Sequence, residues 1–231
     1  PFYNYFQWLP ALAQTKLTNT DFRRYLDNNS NANTPFKSRL YEMETVFLET
    51  GNAFGINPAL VFATAIHESG YGTSYLSKSR NNFFGHAAYD SSPGSANTYQ
   101  TPEFGIRYHE ARFMNWNYLD GTSGNVMYYG GFVGNKSLGM NVKYASDPYW
   151  GEKIAAHYYN IDKAAGGKDY DRYTIGIVNS RSEYVRKQPD GANVYTYKHA
   201  GVPIAILSDK STTGWYAFTS EHLLDTNKNL L

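Results

Sequence analysis

Residues 57–72 read NPALVFATAIHESGYG: an Asn-Pro pair, eight residues that are apolar almost all round, then His67, Glu68 and a glycine-rich exit. Asn57 before Pro58 marks a helix start, because Pro is tolerated at the first helical position, where its missing N–H is not needed. The run ALVFATAI has no polar face, the pattern of a helix enclosed by its domain rather than lying on the surface. Gly70 and Gly72 end it. The chain thus seats a carboxylate, Glu68, at the end of a buried helix, opening onto a turn where a polymer can approach the backbone closely.

Upstream, apolar residues at Phe36, Leu40, Met43, Phe47 and Phe54 follow Thr34-Pro35 at helical spacing and predict a helix with one buried face. Before it lie a short aromatic segment, FYNYFQWLPALAQT, a helix over TNTDFRRYLDN begun by Asn19 or Thr20, and a polar break, NNSNANTP. Downstream, residues 81–101 have turn formers at the centre and aromatics on the flanks, which predicts a β-hairpin or extended lobe. Thr101-Pro102 caps a helix to about Leu119, and a glycine-rich loop covers residues 120–141. Asp147-Pro148 opens a last helix, to about Lys163.

From Tyr173 the pattern changes in kind. YTIGIV, EYVRK, VYTYK, VPIAIL and GWYAFT are short strand-like runs separated by turn signals such as Pro189-Asp190-Gly191. The reading is α+β in three parts: a helical extension over 1–34 packed on the domain that follows, a mainly helical domain with a small β-lobe over 35–165, and a small all-β barrel over 173–231.

The 231 residues carry 21 Lys and Arg against 20 Asp and Glu, so no long-range field selects nucleic acid or an anionic membrane. No apolar run approaches the roughly 20 residues that cross a bilayer, and the chain opens at Pro1 without a leader, so a soluble, mature or trimmed chain is expected. The absence of cysteine excludes disulfides, thiolate catalysis and cysteine zinc sites. Aromatic content is high, with 22 Tyr, 13 Phe and 4 Trp. Such rings suit carbohydrate grooves, although composition alone favours an aromatic-rich core.

Glu68 has several readings: a solvated helix-end residue, half of an ion pair, or part of an H-E-x-x-H zinc signature with His67. The last fails because Tyr71 stands where the second histidine is required. A further reading is a general acid, since partial burial disfavours the ionised form and raises a carboxyl pKa.

AIHESGYGTSYLSKSRNNFFGHAAYDSSP, then TPEFGIRYHE, then GMNVKYASDPYWGEKIA, resemble in order the glucosaminidases of glycoside hydrolase family 73, which cut bacterial peptidoglycan. The resemblance covers about residues 36–163. YFQWLPALAQTKLTNTDFRRYL is also similar to a region that often precedes this domain in Gram-positive autolysins. It implies a lysozyme-like helical fold with a small β-lobe, and hydrolysis of the β-1,4 bond between N-acetylglucosamine and N-acetylmuramic acid, with no cofactor and no metal.

By position, Glu68 matches the family's catalytic acid, Glu103 a glutamate proposed as the second catalytic residue, and Tyr144 a tyrosine beside the reacting sugar. Tyr71 stands where the family usually has Trp, and His67 where a small or apolar residue is common. Glu103 falls in a first helical turn, where free N–H groups favour the charged form, though acids are common there merely to offset the dipole. Asp90 and Glu110 are the other acidic candidates, and the substrate's own acetamido group is an alternative nucleophile. Asn82 and Phe84, in a stretch like the family's NNLFG, are substrate-binding candidates, while Tyr99 and Tyr149 rest on aromatic placement alone. His86, His109 and His157 read as structural.

Residues 173–231 resemble a bacterial SH3-like domain, either a binder of wall peptide stems or a spacer. The expected partner is peptidoglycan, with no nucleic acid and no membrane, for a monomer that is secreted to the cell wall. The alternatives are a lytic transglycosylase and a wall-binding protein without activity.

Overall fold

The computed structural model describes residues 4–33, 37–87, 93–121, 124–208, 214–219 and 221, so Thr34, Pro35, Phe36 and Asp90 of the sequence reading lie outside the described residues. The α-helices are α1 (Asn4–Trp8), α2 (Asn19–Asp27), α3 (Glu44–Phe54), α4 (Pro58–Ser69), α5 (Tyr75–Arg80), α6 (Pro102–Tyr108) and α7 (Trp150–Ala164). The strands are β1 (Thr174–Ile177), β2 (Tyr184–Arg186), β3 (Asn193–Thr196), β4 (Pro203–Ser208) and β5 (Ala217–Phe218). Packing divides the chain into two units: Gln14–Arg112 with Ala156–Tyr170, and Pro1–Ala13 with Phe113–Ala155 and Asp171–Leu231.

The first unit is built on α4. The Asn57 side chain accepts from the N–H groups of Ala59 at 2.9 Å and Leu60 at 3.3 Å, and its amide donates to the Tyr158 hydroxyl at 2.9 Å. That hydroxyl donates onward to Asp169 at 2.8 Å, and Asp169 also takes the Lys16 N–H at 2.7 Å. The cap of α4 is therefore tied by buried polar groups to the last turns of α7. Every residue from Pro58 to Ile66 is buried, and Phe62 stacks on Phe22 at 4.4 Å and meets Phe47 edge-on at 5.3 Å. Burying a ring of this size is worth about 1.5–3 kcal/mol, so tertiary packing rather than propensity holds α4 in place.

Three expectations are corrected in this unit. Helix α3 begins at Glu44 rather than near Pro35, because Glu42 adopts the left-handed region at φ 73° and interrupts any helix through it. Thr18, not Asn19 or Thr20, caps α2: its hydroxyl accepts from the Asp21 N–H at 3.3 Å while Asp21 accepts from the Thr18 N–H at 2.8 Å. The β-lobe expected over 81–101 has no strand among the described residues. Asn81, Gly85 and Ala87 lie at φ 51°, 66° and 56°, which breaks a ladder, and the two limbs meet instead through Asn97 N–H to His86 O and Tyr99 N–H to Arg80 O, both 2.9 Å.

Beyond α6 the expected helix does continue to Leu119, but His109–Leu119 is wound as a wider π-helix. In the second unit each of the five strand-like runs contains a strand. β1, β4 and β5 form an antiparallel sheet in the order β1-β4-β5, and β2 pairs with β3, Val185 opposite Tyr195. Val178, Val185, Tyr195, Tyr197 and Val202 make the local core, with Leu138, Ile204 and Phe218 packed against it. Helix α7 starts at Trp150, two residues after Pro148, with Asp147 accepting from the Tyr149 N–H at 2.9 Å. Among the described residues no helix is long and apolar enough to cross a membrane.

Candidate active site

Glu68 sits half-buried in the last turn of α4. Gly70, Tyr71 and Gly72 then follow one another in the left-handed region, at φ 54°, 59° and 73°. For a tyrosine this conformation costs on the order of 1 kcal/mol, so the surroundings must impose it. They do: the Tyr71 N–H reaches back to Ile66 O at 2.8 Å, and the Ser69 hydroxyl donates to Ala65 O at 2.5 Å while accepting from the Gly72 N–H at 2.7 Å. The turn that follows the carboxylate is thus fixed by its own helix.

One residue that the sequence reading took as structural lies beside this turn. His157, on α7, lies 5.6 Å from the His67 ring and 5.7 Å from the Tyr71 ring, and its Nδ1 has no hydrogen-bond partner among the described residues. Burial, and then the neighbouring His67, lower its pKa to about 4. It is neutral at pH 7 and places no positive charge on the face of α4 that carries His67. The spacing of four between His67 and Tyr71 was the available signal, since it puts both on one helix face.

Glu103 occupies the first turn of α6, behind the Thr101 cap, whose hydroxyl accepts from the Phe104 N–H at 3.1 Å. Its own backbone N–H and the Thr101 hydroxyl, helped less strongly by Arg39 and Arg107, hold its carboxyl below the usual range against the opposing effect of burial. It is charged in neutral and mildly acidic solution.

Asn82 is buried, and all its hydrogen bonds that the structure shows are to backbone: its amide donates to His86 O at 3.0 Å and Asn97 O at 3.1 Å, and its oxygen accepts from the N–H groups of Phe84 at 3.3 Å and His86 at 3.0 Å. Phe84 is buried with its ring stacked 3.5 Å from that of His109. Tyr99 is buried too, with its hydroxyl 2.7 Å from His86 Nδ1, and His86 Nε2 lies 2.9 Å from His109 Nδ1. Burial lowers the His86 pKa to about 4 and that of His109 well below its ordinary value, so both imidazoles are neutral. Glu110 is buried with neither carboxyl oxygen hydrogen-bonded among the described residues, and burial pushes it towards the protonated form, which does not suit a base.

Tyr144 and Tyr149 belong to the other unit. Tyr144 stacks on Trp150 at 4.3 Å and lies 5.3 Å from the Tyr118 ring, whereas Tyr149 is 60% exposed. The loop that carries Tyr144 is gathered by the Lys136 ammonium, which donates to the carbonyls of Asn141 and Ala145 at 2.8 Å and Val142 at 3.3 Å. Among the described residues no group of three His, Asp or Glu side chains could hold a metal ion.

Residues 44–163 match the Glucosaminidase family, described as mannosyl-glycoprotein endo-beta-N-acetylglucosaminidase, and the chain belongs to this family of glycoside hydrolases. It is 41% identical over 133 residues to proteins of Streptococcus pneumoniae strains TIGR4 and R6, provisionally named endo-beta-N-acetylglucosaminidase. The match takes in 57% of this chain and only 19% and 18% of those relatives, so the chain spans less than a fifth of their length. Among solved structures, autolysin E of Staphylococcus aureus is similar at 21% identity over 71% of this chain and 74% of that one, with a TM-score of 0.49. The catalytic domain of the autolysin Auto of Listeria monocytogenes is similar at 17% identity over 67% and 90%, with a TM-score of 0.38. Both likenesses are too distant to carry residue roles across.

Proposed function

We propose that the chain hydrolyses the β-1,4 bond between N-acetylglucosamine and N-acetylmuramic acid in peptidoglycan, with Glu68 as general acid. The observation that carries this reading is the placing of Glu68 within the matched family segment, half-buried at the end of α4. In this scheme Glu68 gives its proton to the leaving oxygen as the C1–O bond breaks, and Glu103 takes a proton from the water that attacks C1. An SH3-like peptide binder at 173–231 and secretion to the cell wall complete the proposal.

The test is digestion of purified peptidoglycan, with borohydride reduction and mass analysis of the products. Fragments ending in reduced N-acetylglucosamine are expected. Anhydro-muramic ends would replace hydrolysis by transglycosylation, and binding to walls without any release would leave a binding module.

The depressed pKa of Glu103 sets a pH dependence. A base must be ionised, and Glu103 keeps its charge below its ordinary value of 4.5, so activity is expected to persist as pH falls to that value and to fail only below it. A kcat/KM profile on soluble glycan fragments from pH 3 to 8 checks this. Removing the cap in Thr101→Val should move the acidic limb upward, and an unmoved limb would take Glu103 out of the base role.

A further inference from the structure

We propose that Tyr71 is a positioning residue for Glu68, anchored by Tyr25 of α2 and His157 of α7, an inference that rests on the peptidoglycan reading above. The starting point is its backbone. Tyr71 lies at φ 59° between Gly70 and Gly72. A glycine or asparagine takes up the left-handed region at little cost, whereas a bulky side chain is strained there. Such strain persists only where the surroundings impose it, and it gathers at functional sites. A third glycine would satisfy the turn, so the reason for a tyrosine lies in its side chain.

That side chain joins three elements of one unit. On α2, Phe22, Tyr25 and Leu26 fall at i, i+3 and i+4 and are all buried, which makes them one face of the helix. Phe22 stacks on Phe62 of α4 at 4.4 Å, and from the same face the Tyr25 hydroxyl pairs with that of Tyr71. Burial first, then Tyr71 beside it, raise the Tyr25 pKa, so its proton stays available to the pair at neutral pH. The ring of His157, on α7, meets the Tyr71 ring edge-on at 5.7 Å and 79°. Tyr25 lies outside the family segment at 44–163, so the support of the candidate acid takes in a helix that the family match leaves out.

The link from Tyr71 to Glu68 is the backbone. The Tyr71 N–H donates to Ile66 O at 2.8 Å, which closes a ring of chain over residues 66–71 with Glu68 inside it. Whatever turns Tyr71 therefore turns the last winding of α4. A misplacement on the order of 1 Å can cost about 10²-fold in rate, so anchoring Tyr71 to α2 and α7 bears directly on how Glu68 meets the glycosidic oxygen.

The experiment measures Tyr25→Phe, Tyr71→Phe, the double variant and Tyr71→Asn on soluble peptidoglycan fragments and on a glycan fragment carrying a dinitrophenyl leaving group. Dinitrophenolate departs without a proton, so an acid out of place harms only the first substrate. Each Phe variant is expected to lose about three- to tenfold in kcat on the peptidoglycan fragments with KM nearly unchanged, the size of one hydroxyl pair. The double variant should lose no more than either single one, because both substitutions remove the same contact. Tyr71→Asn keeps a residue that tolerates the left-handed backbone and drops both anchors. It should lose about 10²-fold on the peptidoglycan fragments while cutting the dinitrophenyl substrate at nearly the wild-type rate. Equal losses on the two substrates, additive losses in the double variant, or losses confined to KM would reduce Tyr71 to packing and overturn the proposal. NMR of isotope-labelled glutamate carboxyls, with Glu68 assigned through Glu68→Gln, tests the link without turnover: the Glu68 titration midpoint is expected to move in Tyr71→Asn, and an unmoved midpoint sinks the proposal. Failure of wild type to cut either substrate, with a midpoint that moves, would sink the hydrolase reading alone.

Discussion

Glu68→Gln is expected to lower the rate of peptidoglycan hydrolysis by about 10²–10⁴-fold while the protein keeps its fold. The amide has the shape of the acid and can still hydrogen-bond to the glycosidic oxygen, but it cannot deliver a proton at the moment the bond breaks. The fold should survive because α4 is held by Phe22, Phe47 and the Asn57 cap, none of which depends on a charge at its far end. A melting temperature within a few degrees of wild type, together with undiminished sedimentation on walls, separates lost chemistry from lost structure. Glu68→Asp withdraws the carboxyl by one methylene and should recover a small part of the rate. A Gln variant that retained a tenth of wild-type turnover would remove Glu68 from the acid role and point to another proton source.

Helix α4 was legible because every level of its sequence agrees. Asn57 caps, Pro58 starts, the apolar run fills the interior, and Gly70 ends the helix in the left-handed region. The start of α3 was not legible, since the apolar spacing runs straight through Glu42 and only tertiary structure places that residue at φ 73°. The absence of strands among the described residues of 81–101 has a similar cause. Aromatic alternation suggested strands, but the Asn82 side chain takes four backbone partners that a ladder would otherwise use. In the site, Glu68 and Glu103 stood out through motif and capping, both local properties. His157 did not, because its approach to His67 and Tyr71 depends on how α7 packs against α4. Nor could spacing show that Pro1–Ala13 shares a unit with Phe113–Ala155, which rests on bonds such as Gln7 to Gly134 at 3.0 Å and Ala11 to Gly131 at 2.8 Å.

Gly72→Ala is expected to destabilise the protein by about 2–4 kcal/mol and to lower activity with it, whereas Gly70→Ala should cost only about 1 kcal/mol. Both glycines lie in the left-handed region of the turn after Glu68, at φ 73° and 54°, so both substitutions carry the same backbone strain. They differ in what a methyl group would meet. At Gly70 the nearest heavy atom is the Thr73 hydroxyl at 3.9 Å, ordinary contact. At Gly72 the methyl would lie 2.5 Å from the Ser38 hydroxyl, 2.9 Å from Leu40 Cγ and 3.0 Å from the Leu40 backbone nitrogen, in a segment locked by the Arg39 N–H to Gly72 O bond at 2.9 Å. Backbone cannot step aside cheaply, so the turn would move instead. The sequence alone suggests that glycine is there to let a polymer approach; the structure puts residues 38–40 against it. Denaturant unfolding of the two variants decides between these causes, because a requirement set by substrate would leave Gly72→Ala as stable as Gly70→Ala and damage only KM. Equal unfolding midpoints would therefore return the glycine to the substrate, and a lower midpoint for Gly72→Ala assigns it to the packing that holds Glu68 in place.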